Sequence, residues 1–271
     1  MNITILSNHD LASNCALNQL LPALHGHCLT VFLSSRVGAA RNLPQRLRDL
    51  MLVEQNLFNP LLNQPPPDRG STPDNDSILL SFDALAVYLG SPITEFNNIN
   101  TTIGLARLKA SEPALIISLR YGVILQQAAI SVPTLGVINL HSGLLPTYRG
   151  VMASFWGLLN GESQLGTTLH YINDASIDTG RIINTTRLRV NPEYSYLWHV
   201  LNLYPDGCAL ITATVERLAK DEPVDSHPQP QGGHYYSFPT ASDLTRFSEQ
   251  GLVLFDGDEL ATFLQRDLPL E

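Results

Sequence analysis

Lysine is nearly absent from this chain of 271 residues, since Lys109 and Lys220 are the only two. The formal net charge is −9, and from position 221 to the end ten acidic residues face only Arg246 and Arg266. A protein that binds nucleic acid must meet the phosphates with lysine and arginine side chains. The composition therefore argues against a large RNA or DNA partner.

The sequence also lacks a long apolar run and any regular spacing of metal ligands. No stretch of about 18 apolar residues is present, and the chain starts like a strand, with Met-Asn-Ile-Thr-Ile-Leu-Ser. We therefore expect a cytoplasmic protein without membrane contact. The three cysteines, Cys15, Cys28 and Cys208, are far apart, so neither a disulfide framework nor a zinc site is predicted. His227 and His234 lack metal-ligand spacing as well, and no metal is expected.

Segments with strand and helix patterns alternate along the chain. Strands are predicted over residues 3–6, 29–33, 114–119, 137–141, 167–172 and 181–190. Helices are predicted over residues 11–24, 41–57, 81–89, 100–109, 125–130, 152–160 and, with a break near 205–207, 196–220. This order predicts an α/β, Rossmann-like fold, in which a mostly parallel sheet has helices on both faces. Ligands bind such sheets at the carboxyl ends of the strands.

Two proline-rich stretches interrupt this pattern. Residues 59–76, with three consecutive prolines, are predicted to form a surface loop. Residues 223–230 precede the acidic end of the chain, where a helix is expected to start after Thr240 or Ser242. We therefore predict a catalytic domain of residues 1–222 and a small acidic C-terminal appendage of residues 223–271.

Asn139 and His141 alternate with apolar residues along one predicted strand. Side chains two positions apart on a strand point the same way, so the carboxamide and the imidazole extend together from the end of this strand. A carboxamide N–H can donate to a developing oxyanion, and an imidazole can exchange a proton. The pair suits acyl transfer to an amine, although two residues alone are a weak signal.

A longer run around this pair carries a family resemblance. The run is Val137-Ile-Asn-Leu-His-Ser-Gly-Leu-Leu-Pro-Thr-Tyr-Arg-Gly150, followed by Gly166-Thr-Thr-Leu-His-Tyr-Ile-Asn-Asp-Ala-Ser-Ile-Asp-Thr-Gly180. Its order and spacing resemble the folate-dependent formyltransferases, a family that includes glycinamide ribonucleotide, methionyl-tRNA and nucleotide-sugar formyltransferases. The resemblance covers residues 114–183 and implies an enzyme that moves a formyl group from 10-formyltetrahydrofolate to an amine.

The resemblance also implies roles for individual residues. Asn139, His141 and Asp178 match the catalytic asparagine, histidine and aspartate of the family. Two segments are expected to hold the folate, and their residues are Tyr121, Gly122, Val123, Ile124 and Leu125 in the first and Ile172, Asn173 and Asp174 in the second. The residues expected to contact the acceptor are Asn8, His9, Asp10, Ser142, Arg149 and His170.

Several of these residues have a second interpretation that the sequence leaves open. Asp178 could be a simple turn residue, and Asp174 competes for its catalytic role. Asp10 could cap the first helix. His170 could pack against the sheet, and Arg149 could order its own loop.

The segment after the first strand departs from the family pattern and bears on the acceptor. Glycinamide ribonucleotide formyltransferases have a glycine-rich turn there that holds the substrate phosphate, whereas this chain has Ser7-Asn-His-Asp-Leu11. That phosphate site is therefore in doubt. Methionyl-tRNA formyltransferases extend into a basic oligonucleotide-binding barrel, and the end of this chain is short and acidic.

We therefore expect a small-molecule amine acceptor, such as an amino sugar nucleotide, a hydroxyornithine-like compound or another specialised metabolite. The alternatives are a methionyl-tRNA formyltransferase-like enzyme and a catalytically silent folate-binding relative. The C-terminal appendage could close over the acceptor cleft or mediate a homodimer, and the sequence does not choose between these roles.

Overall fold

The computed structural model describes residues 1–35, 42–58, 62 and 79–265. Its strands are Asn2–Asn8 (β1), Cys28–Ser34 (β2), Thr94–Glu95 (β3), Leu115–Leu119 (β4), Val137–His141 (β5), Tyr148–Gly150 (β6), Gln164–Leu165 (β7), Thr168–Ile172 (β8), Ile182–Thr185 (β9), Leu188–Arg189 (β10) and His234–Tyr236 (β11). Its α-helices are Leu11–Ala23 (α1), Gln45–Met51 (α2), Phe82–Leu89 (α3), Thr102–Ala110 (α4), Gln127–Ile130 (α5), Ala153–Leu159 (α6), Tyr196–Asn202 (α7), Tyr204–Ala219 (α8), Ala241–Glu249 (α9) and Gly257–Gln265 (α10). A π-helical segment, Leu52–Leu57, continues α2.

A seven-stranded sheet in the order β3-β2-β1-β4-β5-β8-β9 organises the fold. The five strands from β3 to β5 pair in parallel, while β8 runs antiparallel to β5 and β9 runs antiparallel to β8. The predicted α/β class with a mostly parallel sheet is confirmed.

Helices cover both faces of this sheet, which explains why its central strands are almost continuously apolar. All five residues of β4 are buried. Two adjacent residues of this strand, Ile116 and Ile117, belong to different hydrophobic clusters. The cluster around Ile117 includes α1, α6, α7, α8 and α9, and the cluster around Ile116 includes α4 and α5. The carboxyl ends of β1, β4 and β5 therefore meet at one edge of a rigid core.

Two predicted elements differ from the structure. The single strand expected over residues 181–190 is two short strands, because β9 pairs with β8 whereas β10 pairs with β7. The break in the helix expected over residues 196–220 falls at Leu203, and Pro205 lies in the first turn of α8, where a missing N–H costs nothing. The surface loop predicted for residues 59–76 lies outside the described residues, apart from Leu62.

Contacts join the predicted appendage to the rest of the chain. β11 pairs in parallel with β6, and the Phe247 ring stacks on Phe155 with 4.5 Å between centroids. Helix α9 begins with a capping box formed by Thr240 and Asp243, which confirms the predicted start of that helix. The domain division at residue 222 stays a prediction.

Within the described ranges, no helix combines the length and the apolar character needed to cross a membrane. The cytoplasmic location and the homodimer considered from the sequence stay predictions.

Candidate active site

A cavity of about 310 Å³ opens at the carboxyl ends of β4 and β5. Its walls come from the segment after β4, the end of β5, the loop after β8 and the face of α2 with its π-helical continuation. This is the edge at which open α/β sheets bind ligands. Asn139, His141 and Asp178 all line the cavity, so the structure brings the three residues together.

Asp178 lies in the loop after β8 and faces the two histidines. Its Oδ2 is 3.5 Å from Nδ1 of His141, and its Oδ1 is 3.5 Å from Nε2 of His170. Oδ2 also accepts a 2.8 Å hydrogen bond from the backbone N–H of Gly150. The side chain is 11% exposed, so the carboxylate points into the protein rather than into bulk solvent.

The backbone of this loop is held from the C-terminal part of the chain. Asp178 has a φ of 55°, a left-handed conformation that aspartate tolerates better than most residues. The side-chain amide Nε2 of Gln229 donates to the carbonyl oxygens of Asp178 at 2.9 Å and of Gly180 at 2.8 Å. The turn that carries the carboxylate is therefore fixed on both sides.

His141 is oriented by its own backbone surroundings. Its Nε2 lies 2.6 Å from the carbonyl oxygen of Tyr148 and therefore donates to it. The nitrogen left for proton exchange is Nδ1, which faces Asp178. The 3.5 Å separation is longer than a strong hydrogen bond, and it is too short for an atom to lie between the two groups.

His170 contacts both Asn139 and Asp178. Its Nδ1 donates to the carbonyl oxygen of Tyr171 at 2.9 Å, so Nε2 carries a proton only when the ring is charged. In the neutral ring, Nε2 accepts from the carboxamide Nδ2 of Asn139 at 3.1 Å. In the charged ring, Nε2 instead directs a proton toward Asp178. His170 therefore orients the Asn139 carboxamide as well as lining the cavity.

The surroundings of Asp178 favour its ionised form. Burial alone would raise the pKa of this carboxyl. The pKa is instead lowered to about 2 by the charge of His141, by the hydrogen bond and charge of His170, and by the N–H of Gly150. Asp178 is therefore an anion throughout the working pH range of an ordinary enzyme. A permanent anion therefore faces Nδ1 of His141.

The residues expected to hold the folate form two walls of the same cavity. One wall contains the segment 121–125, and the other contains Ile172 and Asp174. Asn173 lines a separate, smaller cavity on the other side of the same loop. Asp174 is exposed and accepts a hydrogen bond from the backbone N–H of Ser176 at 2.7 Å, so Asp178, not Asp174, is the carboxylate at the histidine pair.

The residues expected to contact the acceptor divide into two groups. Asp10, Ser142 and His170 line the cavity, whereas Asn8, His9 and Arg149 are not among its lining residues. Asn8 is fully buried and donates from Nδ2 to Asp10 at 3.1 Å, and the His9 ring stacks on Phe82 with 4.9 Å between centroids. The roles of all these residues in binding stay predictions.

Asp10 caps the first helix, one of the two roles that the sequence left open, and it also lines the cavity. Its Oδ1 caps α1 by accepting from the backbone N–H of Ser13 at 2.8 Å. Its Oδ2 accepts from Nε of Arg120 at 2.8 Å, inside the cavity wall. Capping and cavity lining therefore use different oxygens of one carboxylate.

Arg120 and Glu54 are cavity residues that sequence reasoning missed. Arg120 directly follows β4 and lies 3.5 Å, through Nη2, from Oε1 of Glu54 in the π-helical segment. The position of Arg120 at the carboxyl end of a central strand was a usable signal. Glu54 had no such signal, because only the packing of α2 against the sheet brings it to the cavity. The cluster of Asp10, Arg120 and Glu54 is called the charged cluster below.

Glu54 is ionised with difficulty in the folded protein. Burial raises the pKa of this carboxyl to about 7, with Arg120 opposing the rise and Asp10 adding to it. The unfolded chain releases the same proton near pH 4.3. Between these two pH values the folded state binds more protons than the unfolded state, so the Glu54 contribution to stability falls as pH rises.

Substituting Glu54→Gln is therefore expected to change the melting temperature in a pH-dependent way. Relative to the unsubstituted protein, the variant becomes progressively more stable from pH 5 to pH 8, because glutamine has no charge to bury. Thermal unfolding at both pH values measures this difference. Glu216→Gln at an exposed position of α8 is the control, whose difference stays flat. A Glu54→Gln difference that is equal at pH 5 and pH 8 would contradict the expectation.

The part of the sequence that forms this cavity is similar to a known protein family. Residues 100–197 match the family model described as formyl transferase. The methionyl-tRNA formyltransferase of Paramagnetospirillum magneticum is 30% identical over 181 residues, which are 67% of this chain and 58% of that protein. The one from a Synechococcus species is 36% identical over 118 residues, which are 44% of this chain and 36% of that protein. The chain thus spans about half the length of these curated relatives.

Solved structures show the same fold. An N-formyltransferase from Helicobacter canadensis, in complex with folinic acid and dTDP-3-aminofucose, superposes with a TM-score of 0.54 at 19% identity, over 90% of this chain and 72% of that one. A 4-N formyltransferase from Francisella tularensis superposes with a TM-score of 0.58 at 13% identity, over 92% and 86% of the two chains. These neighbours share the fold, and the family match over residues 100–197 together with the curated relatives confirms the resemblance found in residues 114–183.

Proposed function

Because this chain carries the formyl transferase sequence pattern in residues 100–197, we propose that it moves a formyl group from 10-formyltetrahydrofolate to the amine of a small-molecule acceptor. The observation that supports this proposal most directly is the convergence of Asn139, His141 and Asp178 on one cavity. A carboxamide, an imidazole and a buried carboxylate are the groups that acyl transfer to an amine requires.

The cavity walls suit a flat, partly apolar co-substrate. Val123, Ile124 and Leu125 supply apolar surface on one wall, and Ile172 supplies it on the other. Ligand sites are typically apolar with a few placed polar groups, and here those groups lie at the floor between the walls. When bound, the folate supplies a formyl group on nitrogen, whose carbonyl carbon is open to attack by an amine.

Asn139 is suited to stabilise the oxyanion that this attack creates. One N–H of its carboxamide donates to the neutral ring of His170, and the other remains for a ligand. A donor that is already oriented costs no reorganisation when the negative charge develops. His170 therefore acts through Asn139 as a positioning residue.

His141 and Asp178 account for the proton. Attack forms a bond between the amine nitrogen and the formyl carbon, and that nitrogen must then lose a proton. The bond from the carbon to the folate nitrogen breaks as the folate nitrogen gains one. His141 can carry the proton between the two nitrogens through Nδ1, because Nε2 is engaged with Tyr148 and Asp178 holds the imidazolium in place.

A methionyl-tRNA formyltransferase-like activity is the second candidate, since the curated relatives above carry that name. The scarcity of lysine and the excess of acidic residues after position 220 count against a tRNA acceptor. A folate-binding relative without turnover is the third candidate. Binding alone does not need the oxyanion donor and the proton carrier together, so the full set of three residues favours the enzyme.

Tetrahydrofolate release in the presence of 10-formyltetrahydrofolate tests these candidates. The panel contains amino sugar nucleotides, amino acids with side-chain amines, simple diamines and charged initiator tRNA. We expect an absorbance change that reports tetrahydrofolate release with at least one small amine, and no reaction with the tRNA. The product should be heavier than the acceptor by the mass of one CO. His141→Ala is the control for contaminating activity and should abolish release. Binding of the folate without release for any acceptor would support the silent relative instead.

A further inference from the structure

The charged cluster has unused binding capacity that faces the cavity. Glu54 has a side chain that is only 9% exposed, and its one polar contact among the described residues is the 3.5 Å approach of Arg120 to Oε1. Its Oε2 has no hydrogen-bond partner in the part of the chain that the structure describes. Because Glu54 lines the cavity, a ligand there that donates to Oε2 would form a charge-assisted hydrogen bond.

The Arg120 guanidinium also has N–H groups that a ligand in the cavity can use. Its Nε donates to Asp10 at 2.8 Å, and Nη2 makes only the long contact to Glu54. The buried hydroxyl of Tyr204 is the other polar group beside the guanidinium. The side chain is 17% exposed and lines the cavity. A guanidinium whose terminal nitrogens are open matches a carboxylate in a bidentate arrangement.

The sign of the cluster argues against a phosphate at this position. Two carboxylates flank the single guanidinium, so the cluster is neutral or negative. Next to the cluster, the N–H of His9 already donates to the Ser34 carbonyl oxygen at 2.8 Å, and that of Ser13 donates to Asp10. A diphosphate would be repelled by the two carboxylates, whereas a group that carries both charges would meet a partner for each.

We infer that the acceptor is a zwitterionic amino acid whose side-chain amine receives the formyl group, with its α-carboxylate on Arg120 and its α-ammonium on Glu54. This inference rests on the formyl transfer proposed above and narrows its acceptor. The charged cluster then sets specificity, and Asn139, His141 and Asp178 perform the transfer.

The register of the sheet fixes the spacing between these two parts. Leu119 pairs with Leu140, so Arg120 and His141 follow at the same level of neighbouring strands. The Arg120 guanidinium extends away from β5 to Asp10, which follows β1, the strand beyond β4. Two strand spacings amount to about 10 Å. The acceptor therefore needs a side chain of several carbons between its α-carbon and the reacting nitrogen.

Three matched amines test the inference. L-Ornithine carries both head-group charges, 1,4-diaminobutane lacks the carboxylate, and 5-aminopentanoate lacks the α-ammonium. We expect kcat/KM for L-ornithine, or for L-lysine if a longer chain fits better, to exceed that of either truncated amine by about tenfold or more, because each lost charge leaves a buried partner unsatisfied.

Two conservative variants assign the charges. Glu54→Gln should lower kcat/KM for L-ornithine about tenfold more than kcat/KM for 5-aminopentanoate, since that amine has no α-ammonium. Arg120→Lys should lower kcat/KM for both amines that carry a carboxylate about tenfold more than kcat/KM for 1,4-diaminobutane. Losses of equal size for all three amines would indicate general damage to the fold and overturn the assignment.

The remaining outcomes separate this inference from the proposed function. Formyl transfer to an amino sugar nucleotide but to no amino acid would overturn the inference and leave the proposed function intact. Absence of transfer to any acceptor would overturn the proposed function. In that case, titration calorimetry with L-ornithine decides the inference. Binding that Glu54→Gln abolishes would support it, and no binding to the unsubstituted chain would overturn it.

Discussion

Replacing Asp178 by asparagine is expected to lower kcat/KM for formyl transfer by about 10²–10⁴-fold while the fold remains intact. Asparagine has nearly the same shape, tolerates the φ of 55° at this position, and can still accept from the N–H of Gly150 through its amide oxygen. It cannot supply the negative charge that faces Nδ1 of His141 and Nε2 of His170. The loss therefore measures the charge and not the packing.

A matched control is available in Asp221. This residue has the same φ of 55° but is exposed, so Asp221→Asn makes the same chemical change in the same backbone conformation far from the cavity. Steady-state kinetics and thermal unfolding of both variants provide the comparison. Turnover of Asp178→Asn within a few-fold of the Asp221→Asn control would remove Asp178 from the mechanism.

Substituting Gly180→Ala is expected to lower kcat/KM by about a hundredfold, although Gly180 itself does not line the cavity. An added Cβ would lie 1.7 Å from the carbonyl oxygen of Tyr171, a backbone atom that cannot rotate away. The loop must then shift, and Asp178 lies only two residues earlier. Misplacing a catalytic group by about 1 Å costs about 10² in rate.

The control for this glycine is Gly26→Ala. A Cβ at Gly26 meets no atom within 4 Å, so this variant should keep its activity and its melting temperature. Circular dichroism together with kinetics distinguishes a displaced loop from an unfolded chain. A Gly180→Ala variant with ordinary kinetics would show that the Asp178 loop absorbs the shift.

The residues of the candidate site that share one strand or one sequence motif were predictable from the sequence. The period of two along β5 was enough to place Asn139 and His141 on one side of a strand, and the motif spacing pointed to Asp178. The choice between Asp174 and Asp178 needed the tertiary contacts, because both residues lie in one polar loop. Only Asp178 reaches the histidine pair in the structure.

The charged cluster was not predictable, because its members come from three distant segments. Asp10 follows β1, Arg120 follows β4, and Glu54 lies in the π-helical segment after α2. A π-helical turn shifts the helix face by comparison with the regular period, so periodicity could not assign Glu54 to the cavity. The same limit applies to the strand expected over residues 181–190, where a change of pairing partner from β8 to β7 divides it.

The two hydrogen bonds from Gln229 bear on how the active site is assembled during synthesis. Residues that the family pattern covers end at position 197, yet the amide that clamps the carboxylate turn emerges from the ribosome 32 residues later. A nascent chain can therefore complete its sheet while the turn after β8 still lacks this clamp. Catalytic competence would then arrive after the sheet itself, once residue 229 has left the ribosome.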